Sequence, residues 1–203
     1  MKYTALIVTF NRLGKLKKTV EETLKLEFTN IVIVNNGSTD GTQAWLSSIV
    51  DTRVIVLTLT ENTGGAGGFK TGSQYICEQL ASDWVFFYDD DAYPYPDTLK
   101  SFSQLDKRGC RVFSGLVKDP QGKPCPMNMP FSRVPTSLGD TVRYLRYPGE
   151  FIPAANRSMF VQTVSFVGMV IHRDLLATSL DYIREQLFIY FDDLYFGYQL
   201  SLA

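Results

Sequence analysis

Short apolar runs rich in β-branched residues recur along the first half of the chain, at Tyr3–Thr9, Ile31–Val34, Val54–Leu59 and Trp84–Tyr88. After the first three come polar or glycine-rich turns and then apolar residues at helical spacing: Leu13, Leu16, Val20 and Leu24; Ala44, Trp45, Leu46 and Ile49; Tyr75, Ile76 and Leu80. A run apolar at every position has no face for water. Strands of that kind, alternating with helices, pack as a mostly parallel sheet with helices on both faces, and ligands bind at the carboxyl ends of its strands. The fold expected is therefore α/β and Rossmann-like.

The second half reads differently. Residues 118–160 hold seven prolines (Pro120, Pro124, Pro126, Pro130, Pro135, Pro148 and Pro153) and show little sustained period, which predicts a long excursion over the surface. Order returns with an apolar run, Ser165–Ile171, a helix from Asp174, and the segment Leu187–Gly197. The 203 residues form one domain on this reading, with a ligand-binding half at 1–105 and a less regular half at 106–203. The terminal Leu200-Ser201-Leu202-Ala203 stops inside a helical pattern with no capping signal, which is expected of a piece of a longer chain.

Charge and cysteine content exclude some function classes. Lys and Arg total 20 against 21 acidic residues, so no basic excess is available to track a nucleic-acid backbone. Cys77, Cys110 and Cys125 are an odd number at spacings that fit neither a disulfide framework nor a zinc site, which points to the reducing cytoplasm. No stretch approaches the ~20 apolar residues of a membrane span. Any membrane association would be peripheral, at the inner face, or would come through residues beyond Ala203.

Three adjacent carboxylates, Asp89, Asp90 and Asp91, follow directly on the fourth apolar run. Placed together at a strand end they repel one another unless a cation sits among them, and Mg²⁺ or Mn²⁺ accepts oxygens from carboxylates and a diphosphate together. The plain alternative is a solvated acidic turn leading into Pro94. Gly64–Gly68 lets backbone N–H groups approach a ligand closely, although it spells neither the dinucleotide nor the P-loop fingerprint, and a flexible turn explains it equally well. Tyr93 and Tyr95, set among Pro94 and Pro96, are placed to stack on a sugar, or are simply parts of a stiff turn.

Four segments stand in a telling order: Val8-Thr9-Phe10-Asn11-Arg12; Val34-Asn35-Asn36-Gly37-Ser38-Thr39-Asp40-Gly41-Thr42; Glu61-Asn62-Thr63-Gly64-Gly65-Ala66-Gly67-Gly68-Phe69; and Phe87-Tyr88-Asp89-Asp90-Asp91. Together they resemble the family-two glycosyltransferases with the GT-A fold, closest to the galactofuranosyltransferase and rhamnosyltransferase-like branches. The match is good over residues 3–105 and looser over 160–200, while 106–160 matches nothing.

The resemblance implies inverting transfer of a sugar from a nucleoside diphosphate sugar, UDP-galactofuranose or another UDP- or dTDP-sugar, to a glycan or lipid-linked saccharide. It implies that Thr9, Phe10, Asn11, Arg12 and Asn35 line the nucleoside, with Asn62, Gly65, Gly67, Gly68, Lys70, Asp89 and Asp90 on the donor. Asp89 and Asp91 would hold Mn²⁺ or Mg²⁺. Family members often carry Asp where this chain has Asn35.

A paired acidic motif begins a late helix in the family, and Ile189-Tyr190-Phe191-Asp192-Asp193 fits it. Asp193 is then the preferred general base and Asp192 the second choice; two carboxylates favoured by a helix N-terminus are the plain alternative. Tyr195 and Gln199 stand where the family commonly has an acidic and a basic residue. His172, the only histidine, is expected to be structural, because the branch that uses a third, histidine metal ligand places it after the paired acids. Two other readings remain open: a sugar nucleotidyltransferase, for which Thr9–Lys15 is a poor phosphate loop, and a nucleotide-sugar-binding module without turnover.

Overall fold

A computed structural model describes residues 1–154, 158–188 and 191–202. Six strands form one sheet: β1 (Tyr3–Thr9), β2 (Asn30–Asn35), β3 (Val54–Thr58), β4 (Trp84–Asp89), β5 (Val112–Ser114) and β6 (Met169–His172). Their order is β3-β2-β1-β4-β6-β5, with β1 parallel to β2 and β4, β2 parallel to β3, and β6 antiparallel to β4 and β5. Helices α1 (Leu13–Leu24), α2 (Thr42–Leu46), α3 (Gly64–Gln79) and α4 (Thr98–Gln104) follow the first four strands. Further along lie α5 (Leu138–Arg146), α6 (Arg173–Ser179) and α7 (Asp192–Leu202).

The alternation of side chains along each strand splits the core in two. On one face Leu6, Val8, Val34 and Phe87 meet Phe69 and Ile76 of α3, with Phe166 and Phe196. On the other, Ala5, Ile7, Ile33 and Phe86 meet Leu16 and Val20 of α1, Leu46 of α2 and Phe102 of α4. Both faces are covered, as the unbroken apolar runs require.

Three local features depart from the sequence reading. Helix α2 ends at Leu46, short of Ile49, because Ser47 and Ser48 turn their hydroxyls onto the carbonyls of Gln43 (3.0 Å) and Trp45 (2.6 Å). Strand β6 starts at Met169 rather than Ser165, since Gly168 takes φ +88° and donates its N–H to Phe87 O at 2.9 Å. The glycine run is the first turn of α3, where it serves packing: a Cβ on Gly68 would lie 2.5 Å from Val8 Cγ1, so the helix rests directly on β1.

The proline-rich stretch does hold regular structure. It supplies a short helical turn at Pro126–Asn128 and the amphipathic helix α5, capped by Ser137, whose Oγ accepts the Asp140 N–H at 3.0 Å. Tyr144 turns inward onto Phe131 and Phe151, while Leu138, Val142 and Leu145 form an exposed stripe. The excursion closes at a neck where Gly115 N–H donates to Gly168 O at 2.8 Å. Among the described residues no helix is long and apolar enough to cross a membrane.

Candidate functional site

The carboxyl ends of β1, β2 and β4 meet at one edge of the sheet, and a polar network fixes the loops leaving them. Asn11, at φ 53°, accepts the Thr39 N–H on its Oδ1 at 2.7 Å, while Ser38 Oγ accepts the Asn11 N–H at 3.0 Å. Asp40 accepts from Leu13 N–H at 3.0 Å and from the Thr42 hydroxyl at 2.6 Å, which holds its carboxyl below the usual range, the Thr42 hydroxyl being the largest cause. The loop after β1 is thereby tied to the loop after β2.

Asn36 ties that pair to α3. Its Nδ2 donates to Asn62 Oδ1 (3.0 Å) and Gly64 O (2.8 Å), and its Oδ1 accepts from the N–H and hydroxyl of Thr63, both at 3.0 Å. A buried amide with this many partners is a structural pin. Gly37, at φ +75°, passes so close to Glu61 that a Cβ would lie 2.7 Å from that residue's carbonyl carbon. The sequence reading had assigned neither Asn36 nor Lys15; the Asn-Asn pair gave no sign of which amide turns inward.

The three aspartates take three different environments. Asp90 is buried at 3% exposure, its Oδ2 accepting the Thr9 hydroxyl at 2.8 Å, and Thr19 donates its hydroxyl to the Asp90 carbonyl at 2.8 Å. Burial raises the Asp90 carboxyl, while the Thr9 bond and Arg12, 3.5 Å away, oppose the rise. Asp91 lies toward solvent, with Arg12 Nη1 at 3.1 Å and Lys15 Nζ at 2.8 Å from the same oxygen. Asp89 is pushed up to about 7, first by burial, then by the charges of Asp90 and Asp91, with Arg12 opposing and Asp192 adding to the rise.

The contribution from Asp192 brings α7 into the site. Asp192 is buried at the start of that helix and raised to about 6, by burial and then by Asp193. Its Oδ2 would lie 3.7 Å from a Cβ on Gly65, so it faces the first turn of α3. That turn is also met by the Phe188 carbonyl, which accepts the Ala66 N–H at 3.1 Å. Asp193 is half-buried and accepts the Leu194 N–H at 2.7 Å. Ile189 and Tyr190 of the paired-acid motif lie outside the described residues.

Of the other residues expected here, Phe10 is exposed at the end of β1. Asn35 is buried, with Oδ1 accepting from Ser38 N–H (3.1 Å) and Nδ2 donating to Gln43 Oε1 (2.8 Å), so both ends of its amide are engaged within the protein. Thr9 is likewise spent on Asp90. Gly67 packs its α-carbon against Thr63, and Lys70 pairs with Glu185 at 3.4 Å, on the second turn of α3. His172 stacks edge-on against Trp84 at 5.0 Å and accepts the Asp174 N–H at 3.3 Å, at the other end of β4.

The donor set was tested against a divalent cation. Among the described residues no three His, Cys, Asp or Glu side chains converge to hold an ion by themselves. Yet Asp89, Asp90, Asp91 and Asp192 outnumber the cations beside them, Arg12 and Lys15, an excess of negative charge that a cation would relieve. The residues thus fit a metal whose remaining oxygens come from a bound diphosphate.

The family model described as "Glycosyl transferase family 2" matches residues 4–164. Among solved structures, that of S. aureus TarS 1-349 matches at 20% identity and a TM-score of 0.67, covering 98% of this chain and 55% of that one. The same protein in complex with UDP-GlcNAc matches at 20% identity and a TM-score of 0.60, covering 88% and 47%. At that identity the likeness is one of fold, and the chain spans about half the length of these TarS chains. No curated protein matches it.

Proposed function

The chain belongs to glycosyl transferase family 2, and we propose that it transfers a sugar, with inversion, from a nucleoside diphosphate sugar to a hydroxyl of a glycan or lipid-linked saccharide. One observation supports this reading: Asp192, at the start of α7, faces the first turn of α3 and lies close enough to Asp89, at the end of β4 and far away in sequence, to raise its carboxyl. On this reading Asp89 is the donor-side acid and Asp192 with Asp193 the acceptor-side pair.

The nucleoside lies along the loops after β1 and β2, where Phe10 and the Asn11 to Asp40 network give it a rigid edge. Thr9 and Asp90 support that edge from beneath. The diphosphate lies over Arg12 and the Gly65 N–H in the first turn of α3, with Asn62 and Lys70 flanking; Gly67 and Gly68, buried within that helix, serve its close packing instead. Asp89 and Asp91 would hold Mn²⁺ or Mg²⁺ beside it, and the ion would supply compensation for charge on the leaving diphosphate.

Asp193 takes the proton of the acceptor hydroxyl as its oxygen bonds to the anomeric carbon. The bond from that carbon to the diphosphate breaks, and the nucleoside diphosphate leaves with the electron pair. Asp192, buried beside Asp193, is the second choice as base. Among donors a UDP-sugar is favoured, because TarS of similar fold holds UDP-GlcNAc; the Asn62–Phe69 sequence supports UDP-galactofuranose within that class. Action from the inner face of a membrane is supported by the outward stripe of α5.

Release of nucleoside diphosphate from a panel of UDP-, dTDP- and GDP-sugars with Mn²⁺, run beside thermal stabilisation by each donor, tests the reading. One nucleotide class should both stabilise and turn over. Asp193→Asn should lose turnover by about 100-fold or more and keep donor stabilisation. Stabilisation without release in wild type would make the chain a binding module, and equal loss in Asp192→Asn with none in Asp193→Asn would exchange their roles.

A further inference from the structure

Asp91 is the one carboxylate of the strand end that faces solvent, and two cations of its own chain already occupy it. Arg12 Nη1 and Lys15 Nζ lie 3.1 and 2.8 Å from a single oxygen, Oδ2. Lys15 reaches it from the first turn of α1, three residues after Arg12, whose carbonyl accepts the Lys15 N–H at 3.0 Å. The cations are 53% and 59% exposed and the carboxylate 37%, so the pairing is hydrated and easily exchanged. A divalent ion taking Asp91 competes with both of them, and among the described residues no cluster of three acids helps it.

Phosphate oxygens accept strong charge-assisted bonds from guanidinium and ammonium groups, and a diphosphate offers several of them where Asp91 engages both cations through one oxygen. We propose that Arg12 and Lys15 hold Asp91 as a placeholder ion pair, which a nucleoside diphosphate dismantles by drawing both cations onto its phosphates. The carboxylate is then released to the metal, so donor and metal bind with positive coupling and Lys15 is a positioning residue for both. This rests on the donor-site reading above.

Mn²⁺ affinity, measured by electron paramagnetic resonance with and without UDP, gives the coupling as the ratio of the two dissociation constants, and that ratio is reciprocal between the ligands. Complexation of Mn²⁺ by UDP in solution is common to all variants and cancels in the comparison. An exposed ion pair is worth about 1.4- to 5-fold in an equilibrium constant. Lys15→Met should therefore bind Mn²⁺ alone about 2- to 5-fold tighter than wild type and show coupling reduced by a similar factor. Lys15→Arg, which keeps a cation, should retain wild-type coupling. Lys18→Met removes the same charge one turn-fraction away, from an amine 5.4 Å above the Tyr93 ring, and controls for the general field. Unchanged coupling in Lys15→Met, or an equal fall in Lys18→Met, overturns the placeholder. Failure of wild type to bind UDP with or without Mn²⁺ would instead remove the donor-site reading, and the placeholder with it.

Discussion

The Thr9 hydroxyl donates to Asp90 Oδ2 at 2.8 Å, joining two buried residues 81 positions apart at the ends of β1 and β4. This bond, with that from Thr19 to the Asp90 carbonyl, sets the turn that carries Asp89 and Asp91. Thr9→Val keeps the shape of the side chain and leaves a buried carboxylate short of a partner. Stability in urea should fall by about 1–3 kcal/mol, and Asp90→Asn, which can still accept from Thr9, should lose less.

The raised acids give metal-free protein a characteristic pH dependence. Between the ordinary value of 3.8 and about 7 for Asp89, the folded state binds more protons than the unfolded one. By linkage its stability is greatest below that window and declines as pH rises through it. Melting temperatures recorded in chelator from pH 4 to 8 should show this decline. Asp89→Asn should flatten it and raise the melting temperature most at the alkaline end, with Asp192→Asn acting similarly up to about pH 6. A wild-type slope that survives both substitutions would place the titrating groups elsewhere.

Two glycine substitutions should have opposite signs. At Gly68 a Cβ would lie 2.5 Å from Val8 Cγ1, so Gly68→Ala must lift α3 from the sheet, at a cost of about 1–3 kcal/mol. At Gly14, in the first turn of α1, nothing lies within 4 Å, and Gly14→Ala should stabilise by about 0.5 kcal/mol through the unfolded chain. Chemical denaturation of the pair reads both, and donor stabilisation should weaken only in the first.

Peripheral membrane action predicts sedimentation with vesicles. On α5, Arg133 pairs with Asp140 and Arg143 with Glu150, leaving Arg146 beside the stripe of Leu138, Val142 and Leu145. The protein should sediment with vesicles containing anionic phospholipid more than with purely zwitterionic ones. Val142→Ser with Leu145→Ser should abolish this without changing the melting temperature, since α5 holds no buried residue. Retention of binding by the double variant would remove α5 from the contact.

What the sequence made legible follows its physics. A buried parallel strand must be apolar at every position, so β1 to β4 stand out to within a residue or so, and Asp89, Asp90 and Asp91 are visible as adjacent acids at the exit of the fourth. Division of labour among them was not legible. It depends on Thr9, Arg12 and Lys15 arriving from other elements, which no local pattern records. The helical start of α3 was hidden because five residues rich in glycine carry no apolar period, and α5 because its stripe is set among prolines. Asn35 was readable as a strand end, but its engagement by Ser38 and Gln43 needed coordinates.

The neck between Gly115 and Gly168 has a further consequence. Residues 116–167 leave the sheet and rejoin it at nearly the same point, with β4, β5 and β6 paired behind them. Closing such a loop costs only slightly more as it lengthens, about 0.6 kcal/mol for each doubling. Changes of length at its exposed turns, such as Asp119–Gly122, are therefore cheap, whereas Val164 and Phe166, packed in the core beside Phe69 and Phe196, hold the return of the stretch to the sheet in place.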